Sequence, residues 1–136
     1  MKIAVIYWSQ TGNTQAMAEH ILAGLKGAGA DADMFSVSEI SPEDAAQYDV
    51  LLLGCPAMGA EELESEEFEP FYTRLEGLIA GKTVGLFGSY DWGDGEWMRL
   101  WKDRAQAAGL AVKDTLIVNM NDDPAAACEE FAKLFA

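Results

Sequence analysis

The chain has 136 residues, half of them hydrophobic, with 9 basic and 23 acidic residues and a formal net charge of −14. That length makes one domain, residues 1–136, with a core that needs neither disulfides nor metals, and the composition excludes disorder. The charge argues against nucleic acid, whose phosphates it repels, and for basic proteins as partners.

A strand is expected over residues 2–8, where Ile3-Ala4-Val5-Ile6-Tyr7-Trp8 is an unbroken apolar run. It begins too close to the N-terminus for a secretory leader. No apolar run approaches the roughly 18 residues of a membrane span, and Cys55 and Cys128 lack metal or redox spacing. A cytoplasmic protein is expected. A helix over 13–28 places Met17, Ile21, Leu22 and Leu25 on one stripe and ends at Gly27 and Gly29 through a left-handed cap. The next strand, 31–37, is weaker and more polar, which suits a sheet edge. A short helix starts at Ser41, with Pro42 at its first position and Asp44 in its first turn.

Three further strands are expected over 49–54, 82–88 and 111–119. Val50–Leu53, Thr83–Phe87 and Thr115–Val118 are nearly continuous apolar runs, which argues for parallel strands covered on both faces. Between and after them lie helical stripes. The first is Phe68, Phe71, Tyr72, Leu75 and Leu78–Ile79; the second is Trp97, Trp101, Ala105 and Ala108. The last, over 123–135, buries Cys128, Phe131 and either Leu134 or Phe135. Five alternating strand–helix units make a doubly wound α/β/α sandwich on a five-stranded parallel sheet.

Ligands of such a sheet sit beyond the C-terminal strand ends, where strand order reverses. The loops there are 9–14, 55–62 and 89–95. Ser9-Gln10-Thr11-Gly12-Asn13-Thr14 is rich in hydroxyls and backbone N–H groups and precedes a helix start, which makes a phosphate cradle. It has no Lys, no Arg and no second glycine, which excludes a Walker A loop and a dinucleotide fingerprint. A phosphate held there keeps its charge. Cys55-Pro56-Ala57-Met58-Gly59-Ala60-Glu61-Glu62 offers a methionine beside a glycine. Ser89-Tyr90-Asp91-Trp92-Gly93-Asp94-Gly95 offers a tryptophan placed to stack. Together the loops describe a flat aromatic ligand with a phosphate tail.

At these residues the chain resembles short-chain flavodoxins over its whole length. The resemblance rests on Trp8–Thr14, on Gly54-Cys55-Pro56-Ala57-Met58-Gly59, and on Glu66-Glu67-Phe68-Glu69-Pro70-Phe71. Leu86-Phe87-Gly88-Ser89-Tyr90, Trp92-Gly93 and Gly95-Glu96-Trp97-Met98 complete it. It implies strand order 2-1-3-4-5, of which flavodoxin is a type case, with FMN at the switch between strands 1 and 3. The implied FMN site comprises Ser9, Gln10, Thr11, Gly12, Asn13 and Thr14 around the phosphate. Around the ring it comprises Ala57, Met58, Gly59, Ala60, Glu61, Ser89, Tyr90, Asp91, Trp92 and Gly93. Met58 and Trp92 would flank the ring, Glu61 would accept from its N3–H, and the Gly59 carbonyl would turn toward N5. The chain departs from its relatives at Gln10, Ala60 and Asp91.

The implied function is a low-potential one-electron carrier with non-covalently bound FMN, shuttling mainly between semiquinone and hydroquinone and not acting as an enzyme. Its partners would be basic-faced redox proteins met transiently by a monomer. One like charge about 10 Å from the ring, at an effective dielectric of about 40, costs about 0.8 kcal/mol, roughly 35 mV for one electron. Glu61, Glu62, Asp91 and Asp94 lie in these loops, and no Lys or Arg falls between Lys26 and Arg74. The second reduction is therefore expected at low potential.

A flavin-dependent quinone or azo reductase of the same fold would need an extra loop over the ring, and the chain offers none. A receiver domain would need a carboxylate pair after the first strand, an aspartate after the third and a lysine after the fifth. Tyr7-Trp8-Ser9, Gly54-Cys55 and Asn119 stand there instead.

Overall fold

Alternate residues of the central strands point to opposite faces, and both sets are apolar. Ala4, Ile6, Leu51, Leu53, Val84 and Leu86 build one core with helices on one side. Ile3, Val5, Tyr7, Val50, Leu52 and Phe87 build a second on the other. The computed structural model describes residues 1–136. Its sheet runs β2–β1–β3–β4–β5, all parallel, formed by β1 (Lys2–Tyr7), β2 (Asp31–Ser36), β3 (Val50–Gly54), β4 (Thr83–Tyr90) and β5 (Ala111–Asn119). The strand order, the parallel pairing and the polar edge at β2 are those expected from the sequence.

Helices α1 (Asn13–Gly27) and α5 (Ala125–Lys133) cover one face. They bury Met17, Ile21, Leu25 and Phe131. Helices α3 (Phe68–Glu76) and α4 (Glu96–Ala107) cover the other with Phe68, Tyr72, Leu75, Trp97 and Trp101. The short α2 (Pro42–Ala45) is capped as its sequence requires, the Asp44 N–H donating to Ser41 Oγ at 3.1 Å. The α1 C-terminus closes with Gly29 at φ +83°, its N–H donating to Lys26 O and that of Ala30 to Leu25 O. Gly27 remains helical.

Three expectations are corrected and one left open is resolved. Strand β5 lies at an edge, so its apolar run is covered on one face only: Leu116 and Val118 pack toward α5, and Ile117 between them stays 37% exposed. Strand β4 runs two residues further than expected, so Ser89 and Tyr90 are strand residues paired with Val118 and Asn119. Helix α3 ends at Glu76, which leaves Leu78 exposed in the following turn while Ile79 is buried. At the C-terminus Phe135, not Leu134, enters the core.

Candidate functional site

Strand β1 delivers the chain to the first loop, where Gly12 takes φ +94° and turns it into α1. The Gly12 N–H donates to Ser9 Oγ at 3.1 Å, and Asn13 Nδ2 to Thr11 Oγ1 at 3.0 Å. Each hydroxyl accepts within the loop and keeps its own proton to donate. No side chain caps α1, its first turn holds no acidic residue, and its first backbone bond runs from Ala16 N–H to Gly12 O. The N–H groups of Asn13, Thr14 and Gln15 are thus open donors at the positive end of a 15-residue helix. That arrangement binds an anion without a cation. Thr14 has a different place: it is buried, and its hydroxyl shares a 2.8 Å hydrogen bond with Ser89 Oγ, which fastens the loop to the end of β4.

The loop after β3 is pinned to its neighbour at both ends. Cys55 and Ala57 donate to Phe87 O and Ser89 O at 3.1 Å, and Met58 and Glu62 exchange backbone bonds of 2.8 and 2.9 Å. Those two bonds close a three-residue turn, Gly59-Ala60-Glu61, with φ +49° at Gly59 and +56° at Glu61. Non-glycine residues rarely adopt such a conformation. It aims the Glu61 carboxylate at Gly93, where a Cβ would lie 2.7 Å from Cδ and nearer still to Oε1. Glu61 Oε1 is buried there with no donor, a feature that calls for a partner.

Behind this turn the Glu64 carboxylate accepts from the N–H groups of Glu66, Glu67 and Phe68 at 2.7–2.8 Å. Burial pushes its carboxyl up, and the three donors more than offset this, holding it below its ordinary value. The Glu64 N–H meets Cys55 Sγ at 3.4 Å. Burial pushes the Cys55 thiol up to about 12, so it stays protonated and inert.

The third loop hangs between two anchors. Asn119 Nδ2 donates to Asp91 O at 3.2 Å, and the Met120 N–H to Tyr90 O at 2.8 Å. On the far side Arg99 bonds Asp94 through its carbonyl at 3.1 Å and its carboxylate at 3.0 Å. Trp92 stands between them 64% exposed, so it does not cap the core edge; its apolar faces are available to stack.

The loops converge on a crevice of about 210 Å³ lined by Thr11, Asn13, Pro56, Ala57, Ser89, Tyr90, Asp91 and Met120. Among the residues expected from the sequence, Thr11, Asn13, Ala57, Ser89, Tyr90 and Asp91 meet there. Glu61 and Gly93 meet each other beside it. Ser9, Gln10, Gly12, Thr14, Met58, Gly59, Ala60 and Trp92 belong to the same loops without lining the crevice. Pro56 and Met120 were not singled out from the sequence. Met120 follows β5 directly, and in this strand order the end of β5 lies beside the end of β4, which is the signal that could have found it.

An open crevice at the switch point, an uncapped helix start and an exposed stacking side chain define a mononucleotide-binding α/β domain. The flavodoxin family model matches residues 5–132. The flavodoxin of Megasphaera elsdenii is 50% identical over 134 residues, covering 98% of each chain, and that of Clostridium beijerinckii is 44% identical, covering 97% of each. Among solved structures, the two-electron reduced Megasphaera elsdenii flavodoxin aligns with a TM-score of 0.90 at 50% identity over 96% of each chain. The chain belongs to the flavodoxin family: it is an electron carrier whose cofactor is non-covalently bound FMN. The site fits that group, since an unpartnered carboxylate oxygen and open helix N–H groups suit a ring N–H and a phosphate.

Proposed function

We propose that this flavodoxin works as a low-potential carrier and not as an enzyme, its FMN passing mainly between the one-electron-reduced and fully reduced forms. FMN supplies one-electron redox chemistry when bound; the residues here set where it sits and at what potential. Ser9–Thr14 hold the phosphate through hydroxyls and backbone N–H groups. Met58 and Trp92 flank the ring, Glu61 accepts from N3–H, and the Gly59 carbonyl turns to accept from N5–H. Ala57, Ala60, Ser89, Tyr90, Asp91 and Gly93 complete the walls.

The observation that carries this reading is the cradle without a cation. The phosphate charge stays, Glu61, Glu62 and Asp91 add to it while Arg99 offsets Asp94, and no Lys or Arg lies between Lys26 and Arg74. Each like charge opposes the last electron. An anaerobic redox titration tests it: two separate one-electron steps are expected, the second well below the first. A single two-electron step, or steady NAD(P)H oxidation by the purified protein, would overturn it.

Glutamates at 61, 62, 64, 66, 67 and 69 make the surface beside the flavin loops strongly anionic, which supports transient docking of basic-faced redox proteins to a monomer. Glu64 and Glu69 are the exceptions, the first buried and committed to α3, the second paired with Arg104. Two free, buried cysteines fit the reducing cytoplasm.

A further inference from the structure

On the α3–α4 side a second groove, of about 280 Å³, opens next to the flavin loops. Glu61, Glu62 and Leu63 form one wall, and Trp97, Leu100 and Trp101 of α4 form the other wall and the floor. Its apolar surface is uncovered, since Leu100 is 56% exposed although Trp97 and Trp101 on the same helix are buried. Of its three carboxylates Glu69 is held by Arg104, and the other two, Glu61 and Glu62, make no ion pair.

The one cation at the groove, Arg104, is already engaged. It holds Glu69 through two bonds of 2.7 and 2.8 Å, meets Glu76 at 3.4 Å and lies 4.8 Å over the Tyr72 ring. The groove therefore offers an apolar trough with negative charge at one rim. An arginine matches it: its stem is apolar, and its planar guanidinium forks onto carboxylates and lies against indole surfaces. A second copy of this chain is a poor source of that arginine, because the copies repel through their net charge of −14 and Arg74, Arg99 and Arg104 each already face a carboxylate.

We propose that this groove seats an arginine side chain of an electron-transfer partner, its guanidinium on Glu62 and Glu61 and its stem along Leu63 and Leu100. The inference rests on the carrier function above and names the contact through which docking reaches the flavin. Glu61 belongs to both places. A cation seated against it lowers the negative field at the ring, so the docked protein takes its last electron at a higher potential than the free one.

The FMN-loaded protein is titrated with N-acetyl-argininamide and followed by amide chemical shifts. Saturable shifts confined to residues such as Leu63, Ser65 and Leu100 are expected, with an upward move of the second midpoint potential at saturation. N-acetyl-norleucinamide gives neither, and N-acetyl-lysinamide binds at least fivefold more weakly. Leu100→Trp fills the trough at an exposed position outside the flavin slot. It abolishes the argininamide response and slows electron transfer to a basic acceptor protein at least fivefold, with FMN affinity unchanged. Shifts that spread over the acidic surface without saturating, equal binding of the lysine probe, or an unchanged transfer rate in Leu100→Trp would each overturn the groove. A transfer rate insensitive to salt in the unaltered protein would overturn docking on the acidic face itself, a separate failure.

Discussion

Replacing Gly93 by alanine tests how the ring end of the flavin slot is held. A Cβ at this position falls 2.7 Å from Glu61 Cδ, and the backbone sits at φ +92°. The left-handed conformation costs a non-glycine residue about 1–2 kcal/mol, and this strain acts on the apoprotein and the loaded protein alike. The clash is different. The carboxylate is the mobile end of a side chain, so it swings aside, the fold survives, and the acceptor position is lost. A hydrogen bond to a charged group contributes about 1.5–3 kcal/mol, so FMN affinity should fall roughly 10- to 100-fold at about 1.4 kcal/mol per tenfold.

Fluorescence titration of the apoprotein with FMN measures the affinity, and urea unfolding of the apoprotein measures the strain separately. Glu61→Ala, which leaves no acceptor, should weaken FMN to a similar degree without the loss of apoprotein stability. The double variant should be no weaker than the worse single one, because both changes remove one interaction. Additive losses, or wild-type affinity in Gly93→Ala, would refute the link between Gly93 and the carboxylate.

Gly59→Thr should bring the two midpoint potentials closer together, each moving by about 59 mV and the gap closing by about 118 mV for each 1.4 kcal/mol of stabilisation the one-electron-reduced form loses, since a β-branched residue resists the turn that presents the carbonyl; unchanged separation in a redox titration would count against that role. Glu64→Gln should destabilise the protein by about 1–2 kcal/mol at pH 7, as charge-assisted bonds to the start of α3 weaken. Because the Glu64 carboxyl is held below its ordinary value, its contribution is complete above the ordinary carboxylate range and disappears as pH falls through the lowered value. Urea unfolding should therefore show the two proteins converging in acid, and a constant gap down to pH 2 would contradict the assignment. Electron transfer to a basic acceptor should slow steeply between low and physiological ionic strength; stopped-flow rates that ignore salt would remove the docking role of the acidic face.

The sheet was legible in the sequence because both faces of β1, β3 and β4 are apolar, which leaves runs that only a doubly covered strand can bury. The same signal misled at β5. Thr115–Val118 is as apolar as the central runs, but a strand with one neighbour covers Leu116 and Val118 and leaves Ile117 to solvent. The turn from β1 into α1 was legible because Gly12 and the hydroxyls around it are local features. Relations between loops were not. The Thr14–Ser89 bond spans 75 positions, and the packing of Glu61 on Gly93 depends on a turn whose left-handed residue is a glutamate, a choice that composition does not announce. Met120 was missed for the same reason, since its place follows from the sideways order of strands rather than from its own neighbours.

The strand order also divides labour along the slot. In the site proposed above, retention of the nucleotide falls to the end of β1 and the start of α1, while the field around the ring falls to the turns that leave β3 and β4. Because the buried hydroxyl pair of Thr14 and Ser89 joins the first region to the end of β4 itself, changes at 58–62 and 91–95, which lie beyond that joint, would let the voltage of this carrier drift while its hold on the tail stays constant. One scaffold can thus serve donors and acceptors of different potential without learning anew how to keep its cofactor.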